Sequence, residues 1–123
     1  MKPTFLTRHP DRDRDNDRER LSRLRGAVTG VLREVAAERD GFETRYRKAS
    51  ADAAFSQDRL DDGVHSDLLS ARVDDLTQTL IRYRRRMSEL DRQIAYLESL
   101  RENVDSFIAG RVVDDSDAAP GKA

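Results

Sequence analysis

The residues with the clearest potential for chemistry stand in one short turn-forming segment, RLDDGVHSD. In it His65 lies close to Asp61, Asp62 and Asp67, and imidazole together with carboxylates can hold a metal ion. The spacing of these residues matches no metal-binding loop, however, and the chain has no cysteine that could add a thiolate ligand. We therefore predict neither a metal site nor a cofactor.

Catalytic groups are equally hard to assemble. The sequence offers no glycine-rich phosphate loop, no nucleophile paired with a base and no pair of carboxylates in apolar surroundings. A rod of two helices, the fold argued below, also encloses no pocket in which such groups could be shielded from water. The sequence predicts a protein that is not an enzyme.

A cluster of arginines is the second candidate for function. Residues 80–100 read LIRYRRRMSELDRQIAYLESL. With cations from an earlier segment they form a candidate polyanion-binding set, called here the basic collar: Arg45, Arg47, Lys48, Arg82, Arg84, Arg85 and Arg86. Together with Arg39 and Arg92, these cations outnumber the nearby carboxylates Asp40, Glu43, Glu89 and Asp91 by nine to four. The alternative interpretation is a solvated face on which these charges form salt bridges.

The elements that position these residues are predicted from hydrophobic spacing. In the second half of the chain, residues alternately four and three apart form a heptad seam, which predicts a long helix. The seam residues are Leu69, Val73, Leu76, Leu80, Tyr83, Met87, Leu90, Ile94, Leu97, Arg101, Val104 and Ile108. This seam continues on both sides of the arginines, whereas in a DNA-binding zipper the basic region precedes the seam. The chain is therefore not a basic zipper.

A weaker seam in the first half predicts a second helix. Its residues are Leu21, Leu24, Val28, Val31, Val35, Glu38, Phe42, Tyr46, Ala49 and Ala53, with a stutter in the spacing near Phe42. When the chain is folded back, most positions of this seam face an apolar position of the other, for example Phe42 opposite Tyr83. The sequence thus predicts an all-α fold, a long antiparallel two-helix coiled-coil hairpin.

The boundaries follow from capping signals. We predict a flexible charged arm over residues 1–15 and a hairpin over 16–110, with helix 1 at about 16–60, a turn at 61–66 and helix 2 at about 67–109. Residues 111–123 are predicted to be a disordered tail. Asn16 and Ser66 are suited to N-caps, Gly63 to a left-handed turn position and Gly110 to the end of helix 2.

The open end of the hairpin, away from the turn, has an apolar face wider than one partner helix can cover. The residues predicted to form a partner or oligomer interface there are Leu21, Leu24, Val28, Leu32, Leu97, Leu100, Val104, Phe107 and Ile108. Such a patch favours packing against another molecule, and we predict a homodimer with four helices. The alternative is that the N-terminal arm folds back and covers the patch with Phe5 and Leu6.

Charge and composition limit the function classes. Of 123 residues 38% are charged, yet the net charge is −1, which argues against a general polyanion binder. No apolar run approaches 18 residues, and the opening MKPTFLTRHPD lacks the apolar core of a signal peptide, so we predict a cytoplasmic protein.

The sequence therefore predicts a coiled-coil adaptor, scaffold or assembly subunit that acts through protein–protein contacts and self-association. One alternative is a nucleic-acid-associated protein that uses the basic collar. Another is a hairpin factor that presents an acidic tip to a larger machine, because residues 52–75 hold seven aspartates and two arginines.

Overall fold

The structure, a computed structural model, describes residues 10–63 and 66–117, with side chains up to residue 110. Two long helices account for nearly all of them: α1 spans Pro10–Asp61 and α2 spans Asp67–Asp117. No strand occurs in these ranges, and the helices contact each other. The predicted all-α helical hairpin is confirmed.

The chain divides into two compact units. The terminal unit comprises Met1–Leu32 and Tyr96–Ala123, and the turn unit comprises Arg33–Ala95. Each unit therefore contains one segment from each helix, and each is described by itself below.

The connection between the helices is a tight turn. The backbone N–H of Asp62 donates to the carbonyl of Asp58 at 2.9 Å, and that of Gly63 donates to Leu60 at 3.1 Å. Gly63 has φ of +91°, a left-handed conformation that costs glycine little. The hydroxyl of Ser66 then accepts a hydrogen bond from the Leu69 N–H at 3.3 Å, which is an N-cap. The predicted turn glycine and cap are confirmed; Val64 and His65 lie outside the described residues.

Both helices extend beyond their predicted ends. α1 begins at Pro10 rather than near Asn16, because the alternating charges pair one turn apart, as in Arg18–Asp15 and Arg20–Asp17. Pro10 itself suits the first helical position, where its missing N–H costs nothing. α2 continues through Gly110, whose φ is not positive, so the predicted helix end at Gly110 is wrong. Residues 1–9 and 118–123 of the predicted arm and tail lie outside the described residues.

In the turn unit, the helices meet in the predicted antiparallel register. The rings of Phe42 and Tyr83 pack edge to face with centroids 5.6 Å apart. Ion pairs link Arg86 to Glu38 at 2.9 Å and Arg72 to Asp52 at 3.9 Å, so numbers rise along α1 as they fall along α2. The predicted α2 seam is correct, since none of its twelve residues is exposed and Leu90 is fully buried.

The predicted α1 seam is wrong at Leu24, Val31 and Glu38, and correct at its other positions. Val31 is 44% exposed and Glu38 is exposed, whereas Leu32 and Arg39, one residue further along, are half-buried. The structure therefore has one unbroken heptad row and no stutter near Phe42. Its members are Leu21, Arg25, Val28, Leu32, Val35, Arg39, Phe42, Tyr46, Ala49, Ala53, Ser56 and Leu60.

Candidate protein-interaction surface

The terminal unit exposes large apolar side chains that the hairpin leaves uncovered. Leu24 is 48% exposed, Tyr96 is 65% exposed and Phe107 is 56% exposed. With Val31 and the half-buried Leu100 they form what we call the apolar flank. The flank consists of one stripe on each helix, because Leu24 and Val31 are one heptad apart, as are Leu100 and Phe107, and Tyr96 is one turn from Leu100.

The two stripes lie on the same side of the terminal unit. Phe107 lines a shallow depression together with Asp17, Arg20 and Leu21 of α1. Asp17 lies one heptad before Leu24 and therefore on the same face of α1 as Leu24 and Val31. Phe107 of α2 thus lies beside the face of α1 that carries the other stripe. The flank therefore has contributions from both helices on one side of the unit.

A charged contact also joins the two helices of this unit. The guanidinium of Arg25 donates two hydrogen bonds to the carboxylate of Asp105. This hydrogen bonding, with the attraction of the carboxylate charge, raises the pKa of Arg25 above its ordinary value. Arg25 therefore occupies a heptad position of α1 by pairing across the helices instead of burying an apolar side chain.

The nine predicted interface residues all fall in the terminal unit, but they differ in accessibility. Val28 and Val104 are buried within the hairpin, at 5% and 7% exposure, and Leu24 and Phe107 are exposed. The remaining five are half-buried: Leu21, Leu32, Leu97, Leu100 and Ile108. A partner can reach the exposed and half-buried members, whereas the two valines hold the helices together.

Two residues of the flank were absent from the predicted interface. Val31 was assigned to the seam, because the frame that contains Leu32 also places Arg25 in the seam, whereas the frame with Leu24 and Val31 is apolar there. Tyr96 lies between the seam positions Ile94 and Leu97 and is one turn from Leu100. The unbroken α1 frame with Arg25 and Arg39 in the seam would have predicted Val31 to be exposed, and the α2 seam already leaves Tyr96 outside the helix–helix contact.

The basic collar, which lies in the turn unit, is partly neutralised. Arg86 pairs with Glu38 at 2.9 Å and with Glu89 at 3.1 Å, and Arg47 pairs with Glu43 at 2.9 Å. Hydrogen bonds to Glu38 and then Glu89 raise the pKa of Arg86. Glu38 was placed in the seam by the sequence analysis, so the structure adds a fifth carboxylate to the collar and lowers its positive excess by one.

Arg39, next to the collar, is neutralised as well. Its guanidinium donates to Asp91 at 2.8 Å and to Glu43 at 2.6 Å. The hydrogen bond to Asp91 raises the pKa of Arg39 most. The guanidinium group is charged at any ordinary pH, and dissolved salt weakens exposed pairs of this kind by screening.

The other collar cations have no carboxylate partner within the described residues. Arg45 lies over the ring of Phe42, with its Cζ 4.9 Å from the centroid, and Arg82 donates to the hydroxyl of Thr79 at 3.0 Å. Lys48, Arg84 and Arg85 are exposed. What remains of the collar is thus a set of separate surface cations on two helices.

The acidic tip carries exposed apolar side chains that the sequence analysis did not single out. Phe55 is 66% exposed and Leu68 is 84% exposed. Leu68 lines an open depression with Arg59 and Arg72, so basic residues accompany the apolar ones there. Among the residues that the structure describes, no cluster of His, Asp and Glu could hold a metal ion. His65 lies outside that set.

Neither helix, over its described length, contains a stretch that is long and apolar enough to cross a membrane. No protein-family model, curated protein or solved structure matches the chain. Function is therefore argued from the surfaces of the molecule.

Proposed function

We propose that the protein is a non-catalytic, cytoplasmic coiled-coil scaffold or assembly subunit whose apolar flank binds a second copy of the chain. The observation that supports this proposal is the exposure of Leu24, Val31, Tyr96 and Phe107 on one unit. Moving a large aliphatic or aromatic side chain from full exposure to full burial stabilises the buried state by about 1.5–3 kcal/mol. Several of them on one surface therefore favour association.

Phe5 and Leu6 of the N-terminal arm cannot cover the whole of this flank. From Phe5 to Pro10 a fully extended chain spans at most about 17 Å, at 3.3–3.6 Å per residue. Along α1, Val31 lies about 30 Å beyond Pro10, at 1.5 Å per residue. Phe5 and Leu6 therefore do not reach Val31, which supports a separate molecule as the cover of that part of the flank.

A second copy suits the flank because the core of the terminal unit is thin. Among its described residues only Val28 and Val104 are buried. Two-helix cores of this kind commonly gain stability when a second hairpin completes a four-helix bundle. Face-to-face packing of two flanks gives a two-fold interface in which the same surface serves both partners.

Mutation of the flank tests this proposal. In the double variant Leu24→Asp/Phe107→Asp, two charges replace exposed apolar side chains without entering the helix–helix seam. We expect a dimer for the wild-type chain and a monomer for the variant in light scattering at 300 mM salt, with unchanged helicity by circular dichroism. Leu97 is less suitable for the test, because it is half-buried in the seam and a charge there would also weaken the hairpin.

The matched control is Phe55→Asp/Leu68→Asp, which places the same charges on exposed apolar residues of the turn unit. This control should remain dimeric. A wild-type chain that is monomeric at all concentrations, or a flank variant with unchanged mass, would refute the proposal.

Polyanion binding by the basic collar is a second candidate, supported by the cations Lys48, Arg84 and Arg85 that lack carboxylate partners in the described structure. A labelled 20-nucleotide single strand, followed by fluorescence anisotropy, tests it. Contacts to several phosphates predict that affinity falls by orders of magnitude between about 50 and 200 mM salt. Absence of binding at the lower salt concentration excludes this candidate.

A further inference from the structure

The outward face of α2 in the turn unit has a second heptad row, on the side away from the hairpin seam. Its residues are spaced alternately four and three apart, and all are exposed: Asp67, Ala71, Asp74, Gln78, Ile81, Arg85, Ser88 and Arg92. We call this row the outer row. Helix–helix contacts use this spacing, although here the residues are mostly polar.

Charge is segregated along the outer row. Asp67 and Asp74 stand in its first half, and Arg85 and Arg92 stand in its second half. The structure gives none of these four side chains an ion-pair partner among the described residues. By contrast, the cations nearest the hairpin seam, Arg39 and Arg86, are each paired with two carboxylates.

The order of residue types in the row is self-complementary when it is read in opposite directions. Consider two copies of the row set antiparallel, with the two-fold axis midway between Gln78 and Ile81. Asp74 of one copy then faces Arg85 of the other, and Asp67 faces Arg92. The same alignment places the small Ala71 opposite the small Ser88, and Gln78 opposite Ile81. Each facing pair occurs twice because of the two-fold symmetry, so four pairs of opposite charge form at once.

We propose that the outer row of α2 pairs antiparallel with the outer row of a second copy, as an interface separate from the apolar flank. A parallel pairing would place aspartate on aspartate and arginine on arginine, so charge selects the antiparallel arrangement. Small residues let the backbones approach, and Ile81, which is 45% exposed, contributes apolar contact. Because exposed ion pairs are weak and are screened by salt, this contact is weak and salt-sensitive.

Two different two-fold interfaces on one chain have a consequence for assembly. If the apolar flank forms the dimer proposed above, the outer row joins such dimers into larger assemblies. Only this growth beyond a dimer rests on the proposed function. Each flank dimer carries two outer rows, one on each chain, so it can bind a further dimer through either of them. A scaffold that grows at low salt and returns to dimers at high salt follows from the two interfaces.

A charge-swap series tests the proposal by sedimentation equilibrium at 50 and 500 mM salt. At the lower salt concentration the wild-type chain should form species larger than a dimer. Arg85→Glu and Asp74→Arg should each weaken this step about tenfold, because each converts two attractive pairs into two repulsive ones. The double variant Asp74→Arg/Arg85→Glu should restore it to within about threefold of wild type, since opposite charges again face each other.

Arg33→Glu is the matched control, because it changes the net charge as Arg85→Glu does at an exposed arginine of α1. It should leave the salt-sensitive step unchanged. Equal weakening by Arg33→Glu, or a double variant that stays as weak as the single ones, overturns the antiparallel pairing. So does a salt-sensitive step that disappears on nuclease treatment, which assigns the arginines to a polyanion.

Cross-linking separates this interface from the flank. The chain has no cysteine, so a single Gln78→Cys substitution reports proximity without interference. On the Leu24→Asp/Phe107→Asp background, a short bis-maleimide at 50 mM salt should still yield covalent dimers through the introduced thiol. Thr44→Cys, on the exposed side of α1, should yield few. Equal yields from the two positions contradict the outer-row pairing, whether or not the wild-type chain forms the flank dimer.

Discussion

At the scale of single residues, the protein depends on few buried side chains. Leu90 is the one large side chain that the described structure leaves without any exposure. Leu68, on the same helix, is 84% exposed. These two leucines therefore differ in environment while sharing chemistry and helix propensity, which makes them a matched pair.

We expect Leu90→Ala to lower the free energy of unfolding by about 2–5 kcal/mol, from lost burial and the cavity left between the helices. Leu68→Ala should change it by no more than about 0.5 kcal/mol, as is usual for surface positions. Urea denaturation followed by circular dichroism measures both. Similar losses for the two variants would mean that Leu68 is covered by another molecule in solution.

At the scale of elements, α2 was predictable and the first half of α1 was not. The α2 seam is apolar at every position except Arg101, so hydrophobic spacing alone finds it. In α1 the true seam contains Arg25 and Arg39, which pair with Asp105 and Asp91 across the hairpin. These ion pairs join residues that are distant in the sequence. A search for apolar spacing does not detect them and selects Leu24 and Val31 as seam residues instead.

The same cause affected the candidate interface. Val31, once assigned to the seam, was left out of the predicted interface, although Leu24 was placed in both. The turn, by contrast, was predicted correctly because Gly63 and Ser66 act through local backbone geometry that sequence order specifies directly. The α2 spacing and the local signals of the turn could be read from the sequence, whereas the outer helix ends and the ion pairs between distant segments required the structure.

Glycine substitutions at two kinds of position should have opposite effects. Gly63→Ala should destabilise by about 1–2 kcal/mol, because its φ of +91° is unfavourable for a residue with a Cβ. Gly26→Ala should stabilise by about 0.5–1 kcal/mol, because a Cβ there meets open space and alanine favours the helix. Denaturant midpoints compare the two; a destabilised Gly26→Ala would show that another backbone packs at this position.

The cap of α2 gives a further test at this scale. The hydroxyl of Ser66 accepts the Leu69 N–H, so Ser66→Ala should cost about 1 kcal/mol of stability. Ser88→Ala, at an exposed position inside the same helix, should be neutral or slightly stabilising, since alanine has the higher helix propensity. Equal effects of the two changes in thermal unfolding would show that the cap contributes nothing measurable.

At the scale of the whole molecule, the balance between charge and apolar surface determines the mode of action. With 38% charged residues and a net charge of −1, the chain has no overall field that would attract a polyanion. Internal pairs neutralise part of its basic collar, while the flank of the terminal unit leaves aliphatic and aromatic side chains in water. This distribution supports the proposed association through apolar surface, tuned by patterned charge.

If folding and association through the flank are coupled, thermal stability must depend on protein concentration. Mass action stabilises the associated state by about 1.4 kcal/mol for each tenfold increase in concentration. For a dimer of this size the midpoint of thermal unfolding should then rise by about 2–4 °C per tenfold increase. Measured at 300 mM salt, where the outer row is screened, Leu24→Asp/Phe107→Asp should lose this dependence while Arg85→Glu keeps it. A concentration-independent midpoint for the wild-type chain would show that the hairpin is stable as a monomer and that the flank serves a different partner.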